Sequence, residues 1–89
     1  MKSRTVPPFW EMLSALPPEI QALASKTFRI WQAAPWSYGL HFKRVCANEP
    51  IYSVRIGRNY RALGLLEDDT VYWYFIGNHD AYDQKLQRL

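Results

Sequence analysis

The stretch Tyr60–Leu86 constrains the fold most, because two apolar runs in it are separated by only four residues. The runs are Tyr60–Leu66 and Val71–Ile76, and the acidic segment Glu67–Thr70 joins them. Two strands with so short a connection pair in antiparallel fashion. The second run has no charged or amide side chain, which is typical of a strand covered on both faces.

Two helices are predicted before residue 35, and each begins at a proline pair. Proline is well tolerated at the first helical position, and the link Pro17-Pro18 both ends the first helix and begins the second. Apolar residues recur at helical spacing in each: Phe9, Met12, Leu13 and Leu16, then Ile20, Leu23, Ala24, Phe28, Trp31 and Ala34. The pattern indicates a helical hairpin whose apolar face needs a sheet to cover.

Three more segments are predicted as strands: residues 2–6 at an edge, Leu40–Cys46 in the centre, and Ile51–Gly57. After the last strand, Asn78 is a candidate N-cap for a short helix. The expected fold is therefore α+β, with an N-terminal helical hairpin packed on a mainly antiparallel four- to five-stranded sheet and a short C-terminal helix. Residues 1–89 are expected to form one domain.

Composition excludes several classes of function. A single cysteine, Cys46, favours a reducing cytoplasm over a secreted, disulfide-stapled protein. The chain has no long apolar run, so we expect no membrane span. It also lacks CxxC and HExxH patterns and a glycine-rich phosphate loop, so we expect neither a metal nor another cofactor.

The net charge of +3 is unevenly distributed along the chain. Residues 31–61 carry five basic residues against Glu49 alone, whereas residues 62–89 carry a net negative charge. A basic surface beside aromatic rings favours a nucleic acid or an acidic protein as partner. The candidates for contacts to an RNA backbone are Lys43, Arg44, Arg55 and Arg58. Alternatively, these side chains form a solvated sheet edge that charges protect from aggregation.

Arg61, His79 and Tyr82 are the candidate catalytic residues. Arginine can hold a phosphate through two parallel hydrogen bonds, and histidine can transfer a proton at neutral pH. Tyr82 follows His79 by three residues, so both side chains are expected on one side of the helix. Asp83, four residues after His79, could orient the imidazole.

Each of these residues also has a structural interpretation. Arg61 could pair with Glu67, Asp80 or Asp83, and His79 could be an ordinary exposed residue at a helix start. Tyr82 also matches the apolar face of its helix. The residue types alone leave these alternatives open.

Two motifs and the order of elements resemble the RelE/ParE toxin superfamily of bacterial type II toxin–antitoxin systems. Tyr52–Arg61 (YSVRIGRNYR) is similar to the family's strand–turn–strand ending in Tyr-Arg. Ile76–Tyr82 (IGNHDAY) is similar to its closing strand and Gly-x-His-x-x-Tyr segment, and Leu16–Ile20 (LPPEI) resembles its helix-hairpin turn.

The resemblance implies a cognate antitoxin and one of two activities. RelE-like members cut messenger RNA on the ribosome, and the matching residues here are Arg61, His79 and Tyr82. They would act without a metal, through attack of the RNA 2′-OH on the adjacent phosphate. ParE-like members poison DNA gyrase without a catalytic set. A degenerate module that has lost toxicity is the third hypothesis.

Overall fold

The computed structural model describes all residues from 1 to 89. Its elements are β1 (Lys2–Thr5), α1 (Pro7–Ser14), α2 (Pro18–Ala33), β2 (Lys43–Arg44), β3 (Ile51–Ile56), β4 (Tyr60–Glu67), β5 (Thr70–Asn78) and α3 (His79–Gln87). This order confirms the predicted α+β class, with a helical hairpin before the sheet and a short helix after it. None of the three helices combines the length and the apolar character that crossing a membrane requires.

The five strands form one sheet in the order β1-β5-β4-β3-β2. All neighbours are antiparallel except β1, which runs parallel to β5 with Lys2 opposite Thr70. The mainly antiparallel sheet and the N-terminal edge strand are therefore confirmed. Trp73 fastens this edge, because its Nε1 donates a hydrogen bond to the Ser3 hydroxyl at 3.0 Å.

The helical hairpin covers one face of the sheet, which we call the hairpin face. Its core is built largely from aromatic rings, and Trp31 and Trp73 are almost fully buried there. These two rings meet edge to face at 5.4 Å, and Phe28 lies 5.0 Å from Trp73. Such rings bury large apolar areas, which a chain of this length needs for a stable core.

The opposite face, which we call the α3 face, is covered by the C-terminal helix. A smaller buried cluster lies between them, formed by Ile51, Leu63, Phe75 and Tyr82. The β4–β5 register shifts between Leu63 and Gly64, and this bulge leaves Tyr74 without a cross-strand partner. A methyl group at Gly64 would come within 2.8 Å of the Trp73 ring, so the bulge requires glycine there.

The segment Leu40–Cys46 differs from its prediction as a central strand. Only Lys43–Arg44 pairs with β3, and this short β2 lies at the sheet edge. His41 has a φ of 48°, a left-handed conformation that interrupts a strand. At the other end, the Arg44 guanidinium donates to the carbonyls of Cys46 and Ala47.

Candidate active site

Arg55, Arg61 and Gly77 form one row across three adjacent strands. Arg55 lies directly opposite Arg61, and Arg61 lies directly opposite Gly77. Side chains alternate along a strand, so Arg55 shares the α3 face with Ile51, which packs in the core beneath α3. A methyl group at Gly77 would lie 3.3 Å from the Cβ of Ala81, so the row ends beside the first turn of α3.

The two arginines have no carboxylate partner. Arg55 Nε donates to the Gly57 carbonyl at 2.9 Å, and Arg61 donates one guanidinium N–H to the Tyr60 carbonyl at 2.8 Å. The two ion pairs of the structure involve neither side chain. Like charges on directly opposed residues repel each other. The guanidinium N–H groups of Arg55 and Arg61 that make no hydrogen bond are available to an anion. A bound anion would offset the repulsion between the two side chains.

Helix α3 adds its amino terminus to this end of the sheet. Asn78 caps the helix as predicted, since its side-chain oxygen accepts a hydrogen bond from the Ala81 N–H at 2.9 Å. The positive end of a helix dipole favours a bound phosphate. The two arginines and the start of α3 together make this corner of the α3 face suited to an anion, and we call it the anion corner.

His79 is the first residue of α3 and has a half-exposed side chain. Its Nε2 lies 3.4 Å from the Asp83 carboxylate oxygen, one helical turn further on. Asp83 thus contacts the imidazole, in the position from which a carboxylate orients a histidine that transfers protons. The ring remains accessible to a substrate, because 56% of the His79 side chain is exposed.

Tyr82 is mainly a core residue, with only 7% of its surface exposed. Its ring lies 6.3 Å from that of His79, so the predicted proximity of the two is observed. The buried side-chain polar atoms that lack a partner are Trp31 Nε1 and the Tyr74 hydroxyl. The Tyr82 hydroxyl is not one of these atoms.

The four predicted RNA-binding residues divide between two regions. Arg55 belongs to the anion corner, and the exposed Arg58 lies in the turn that joins β3 to β4. Lys43 lies opposite Ser53, which places it one row further along the α3 face. Arg44 lies on the opposite face of β2, the hairpin face, and its guanidinium donates to backbone carbonyls.

No cluster of three or more His, Cys, Asp or Glu side chains is arranged to hold a metal.

The direct opposition of Arg55 and Arg61 was not inferred from the sequence. One signal could have revealed it, since the two residues are equidistant from Arg58 in the middle of the turn. A hairpin centred on that turn pairs them. The full exposure of the Tyr38 side chain was also not inferred from the sequence.

Comparison with known proteins identifies the family. The model of the ParE-like toxin domain matches residues 18–84. No curated protein sequence matches the chain.

Several solved toxin structures are similar to the whole fold. A chain of the RelB–RelE antitoxin–toxin complex from Methanococcus jannaschii has a TM-score of 0.74 at 17% identity, covering 92% of this chain and 96% of that one. A chain of the RelBE2 toxin–antitoxin complex from Mycobacterium tuberculosis has a TM-score of 0.70 at 23% identity, with coverages of 88% and 96%. The isolated RelE toxin of E. coli has a TM-score of 0.64 at 13% identity, with coverages of 98% and 96%.

At these identities the structures show a shared fold, while the family model carries the assignment. The match over residues 18–84 places the chain in the ParE-like toxin family, within the RelE/ParE superfamily of toxins from toxin–antitoxin systems.

Proposed function

We propose that this toxin is a ribosome-dependent endoribonuclease that cleaves messenger RNA in the cytoplasm without a metal ion. The observation that carries the proposal is the opposed pair Arg55 and Arg61, free of carboxylates and next to the start of α3. A fold that needed these charges only for stability would pair them with acids. A phosphodiester at this corner would supply the missing negative charge.

The proposed reaction is an in-line displacement at phosphorus. The RNA 2′-oxygen forms a bond to the adjacent phosphorus, and the bond from phosphorus to the 5′-oxygen of the next nucleotide breaks. The products are a 2′,3′-cyclic phosphate and a free 5′-hydroxyl. Arg61 and Arg55 stabilise the charge that develops on the phosphate oxygens.

The 2′-OH loses a proton and the leaving 5′-oxygen gains one, and His79 would take the first or supply the second, with Asp83 as its positioning residue. The Tyr82 hydroxyl can donate a hydrogen bond to the phosphate. Correct alignment of the 2′-OH with the leaving oxygen can supply roughly 7–11 kcal/mol of the barrier reduction. A ribosome that holds the message in this geometry would provide that alignment.

Asn78 and Asp80 occupy positions where a nuclease would gain from positive charge. Both serve the start of α3: Asn78 caps the helix, and Asp80 lies in its first turn, where an acid complements the dipole. The Asp80 carboxylate lowers the local positive potential, and the uncharged Asn78 adds nothing to it. The Arg55–Arg61 pair therefore has the larger share in attracting RNA.

The test is cleavage of a defined message on programmed ribosomes, read by primer extension. We expect wild-type protein to cut and Arg61→Ala and His79→Ala to cut far more slowly. Arg29→Ala is the matched control, because Arg29 is an exposed arginine on α2, away from this corner. Full toxicity of both site variants in cells would rule out the nuclease.

The second candidate function is inhibition of DNA gyrase by binding alone. The observation that favours it is the match to the ParE-like domain model, because the family resemblance associates ParE-like members with gyrase. Expression of the toxin would then produce cleaved gyrase–DNA complexes while messages stay intact. The same Arg61→Ala variant distinguishes the two, since it would retain activity if Arg61 has no chemical role.

A cognate antitoxin is the proposed protein partner. The proteins from Methanococcus jannaschii and Mycobacterium tuberculosis that share this fold are components of antitoxin–toxin complexes. We expect co-expression of the neighbouring gene to restore growth and the two proteins to copurify. Undiminished growth on expression of the toxin alone would instead indicate a degenerate module.

A further inference from the structure

The loop between α2 and β2 exposes two large aromatic side chains. Trp36 is 65% exposed and Tyr38 is completely exposed. They belong to neither core, and they lie outside the corner formed by Arg55, Arg61 and α3. We call the two side chains the aromatic loop.

Trp36 is held firmly from behind. Its ring lies 4.9 Å from Phe42 and 6.5 Å from Tyr52, and these two rings stack on each other at 5.0 Å. Phe42 is buried. The Trp36 ring is therefore supported by the core on one side and open to solvent on the other, as a preformed surface for a planar ligand requires.

The chain turns sharply just after Tyr38, whose ring is fully exposed. Gly39 and His41 both have positive φ angles, 96° and 48°, which turn the chain sharply. The loop is also tied to the strand that carries the anion corner, because the Arg55 N–H donates to the Leu40 carbonyl at 2.7 Å. The aromatic loop and the anion corner are thus connected through one strand.

Charge around the aromatic loop favours a polyanion over a basic protein. No acidic residue occurs between Glu19 and Glu49, whereas that interval contains four lysines and arginines. Lys43 and Arg44 form the whole of β2 beside the loop, and both are exposed. Exposed rings bordered by basic side chains are the arrangement that binds unpaired nucleic-acid bases.

We propose that Trp36 and Tyr38 stack on unpaired bases of single-stranded RNA, while Lys43 contacts its phosphate backbone. The choice of RNA as the ligand rests on the proposed function, but stacking on its bases does not depend on the chemistry of cleavage. A single strand crossing the β2 edge would contact the aromatic loop on one side and the Arg55–Arg61 corner on the other. The aromatic loop would then contribute affinity without taking part in the reaction.

The test is the affinity for a fluorescein-labelled 12-nucleotide 2′-O-methyl RNA, measured by fluorescence anisotropy. This probe has no free 2′-OH for the attack, so binding is measured whether or not the protein is a nuclease. Stacking on one ring is worth on the order of 1 kcal/mol or more, so Trp36→Leu and Tyr38→Ser should each weaken binding at least ~5-fold.

Trp10→Leu is the matched control, because Trp10 is 57% exposed but lies on α1, over the β1–β5 side of the sheet. Its affinity should stay within about twofold of wild type. Tyr38→Ser is informative even if Trp36→Leu loosens the fold, since the Tyr38 side chain is fully exposed. It should leave the slope of log Kd against log salt unchanged, whereas Lys43→Ala should flatten it by about 0.7.

Wild-type binding no tighter than that of Tyr38→Ser would overturn the proposal. Loss of antitoxin binding in these variants, with RNA binding intact, would also overturn it and identify a protein interface. The outcome is separable from the proposed function. If ribosomes show no cleavage but Tyr38→Ser still weakens RNA binding, the nuclease alone is refuted. If the message is cleaved but Tyr38→Ser leaves RNA binding unchanged, the stacking site alone is refuted.

Discussion

Arg55 and Arg61 occupy directly opposed positions on β3 and β4, and neither side chain meets a carboxylate. Each guanidinium instead donates to a backbone carbonyl beside the β3–β4 turn, Arg55 to that of Gly57 and Arg61 to that of Tyr60. Directly opposed like charges destabilise a sheet by a few tenths to about 1 kcal/mol. The pair therefore lowers stability at the place where the proposed activity needs positive charge.

We predict that Arg55→Gln stabilises the protein while it weakens cleavage. Glutamine removes the repulsion and retains a donor for the Gly57 carbonyl, so the free energy of unfolding should rise by up to ~1 kcal/mol. Urea denaturation at low and high salt measures this, and added salt should narrow the gap to wild type. Lower stability together with undiminished cleavage would contradict this account.

The contact between His79 and Asp83 predicts unequal effects of two carboxylates on α3. His79→Ala should slow cleavage on ribosomes by roughly 100-fold or more, the usual contribution of a general acid or base. Asp83→Asn should slow it less, because the imidazole remains but loses its orienting charge. The measurement is the single-turnover rate at saturating toxin.

Asp80→Asn is the control for Asp83→Asn. Asp80 lies in the same helix but makes no ion pair with the imidazole. Its removal should leave the single-turnover rate unchanged or raise it, since a negative charge near the RNA is lost. Equal slowing by both variants would show that Asp83 has no specific role.

The hydrogen bond from Trp73 to Ser3 predicts the stability of the β1 edge. Ser3→Ala leaves the indole N–H without its partner, at a cost of about 1–3 kcal/mol in the free energy of unfolding. Ser25→Ala is the control, because Ser25 is an exposed serine on α2 that makes no side-chain hydrogen bond. Chemical denaturation that gave equal midpoints for both variants would contradict the assigned bond.

Tyr74 predicts a loss of stability at high pH. Burial, and then the charges of Glu49 and Cys46, raise the pKa of the Tyr74 phenol above its usual 10.0. The phenol therefore ionises at lower pH in the unfolded chain than in the folded protein. The stability that depends on a neutral Tyr74 phenol is complete below pH 10 and is lost as the pH rises through the folded pKa.

Tyr74→Phe tests this directly. The Tyr74 hydroxyl is buried without a hydrogen-bond partner, so its removal should stabilise the protein already at neutral pH. The advantage over wild type should widen above pH 10. The control is Tyr38→Phe, which removes the hydroxyl of a fully exposed ring and should leave the free energy of unfolding at neutral pH as in wild type.

The sequence by itself determined the parts of this protein that depend on neighbouring residues. Proline pairs and helical spacing predicted the hairpin, and Asn78 was identified as an N-cap because capping is local. The four-residue link between Tyr60–Leu66 and Val71–Ile76 predicted the antiparallel pairing of β4 with β5. The motifs at Tyr52–Arg61 and Ile76–Tyr82 indicated the superfamily that the family model confirms.

Only the tertiary structure decided where distant segments meet. It reduced the predicted strand at Leu40–Cys46 to a two-residue edge, and it placed β1 parallel to β5. It also left Arg55 and Arg61 without an acidic partner. Periodicity and turn chemistry act over a few residues, whereas strand register and the choice of charge partners depend on packing between segments far apart in the chain.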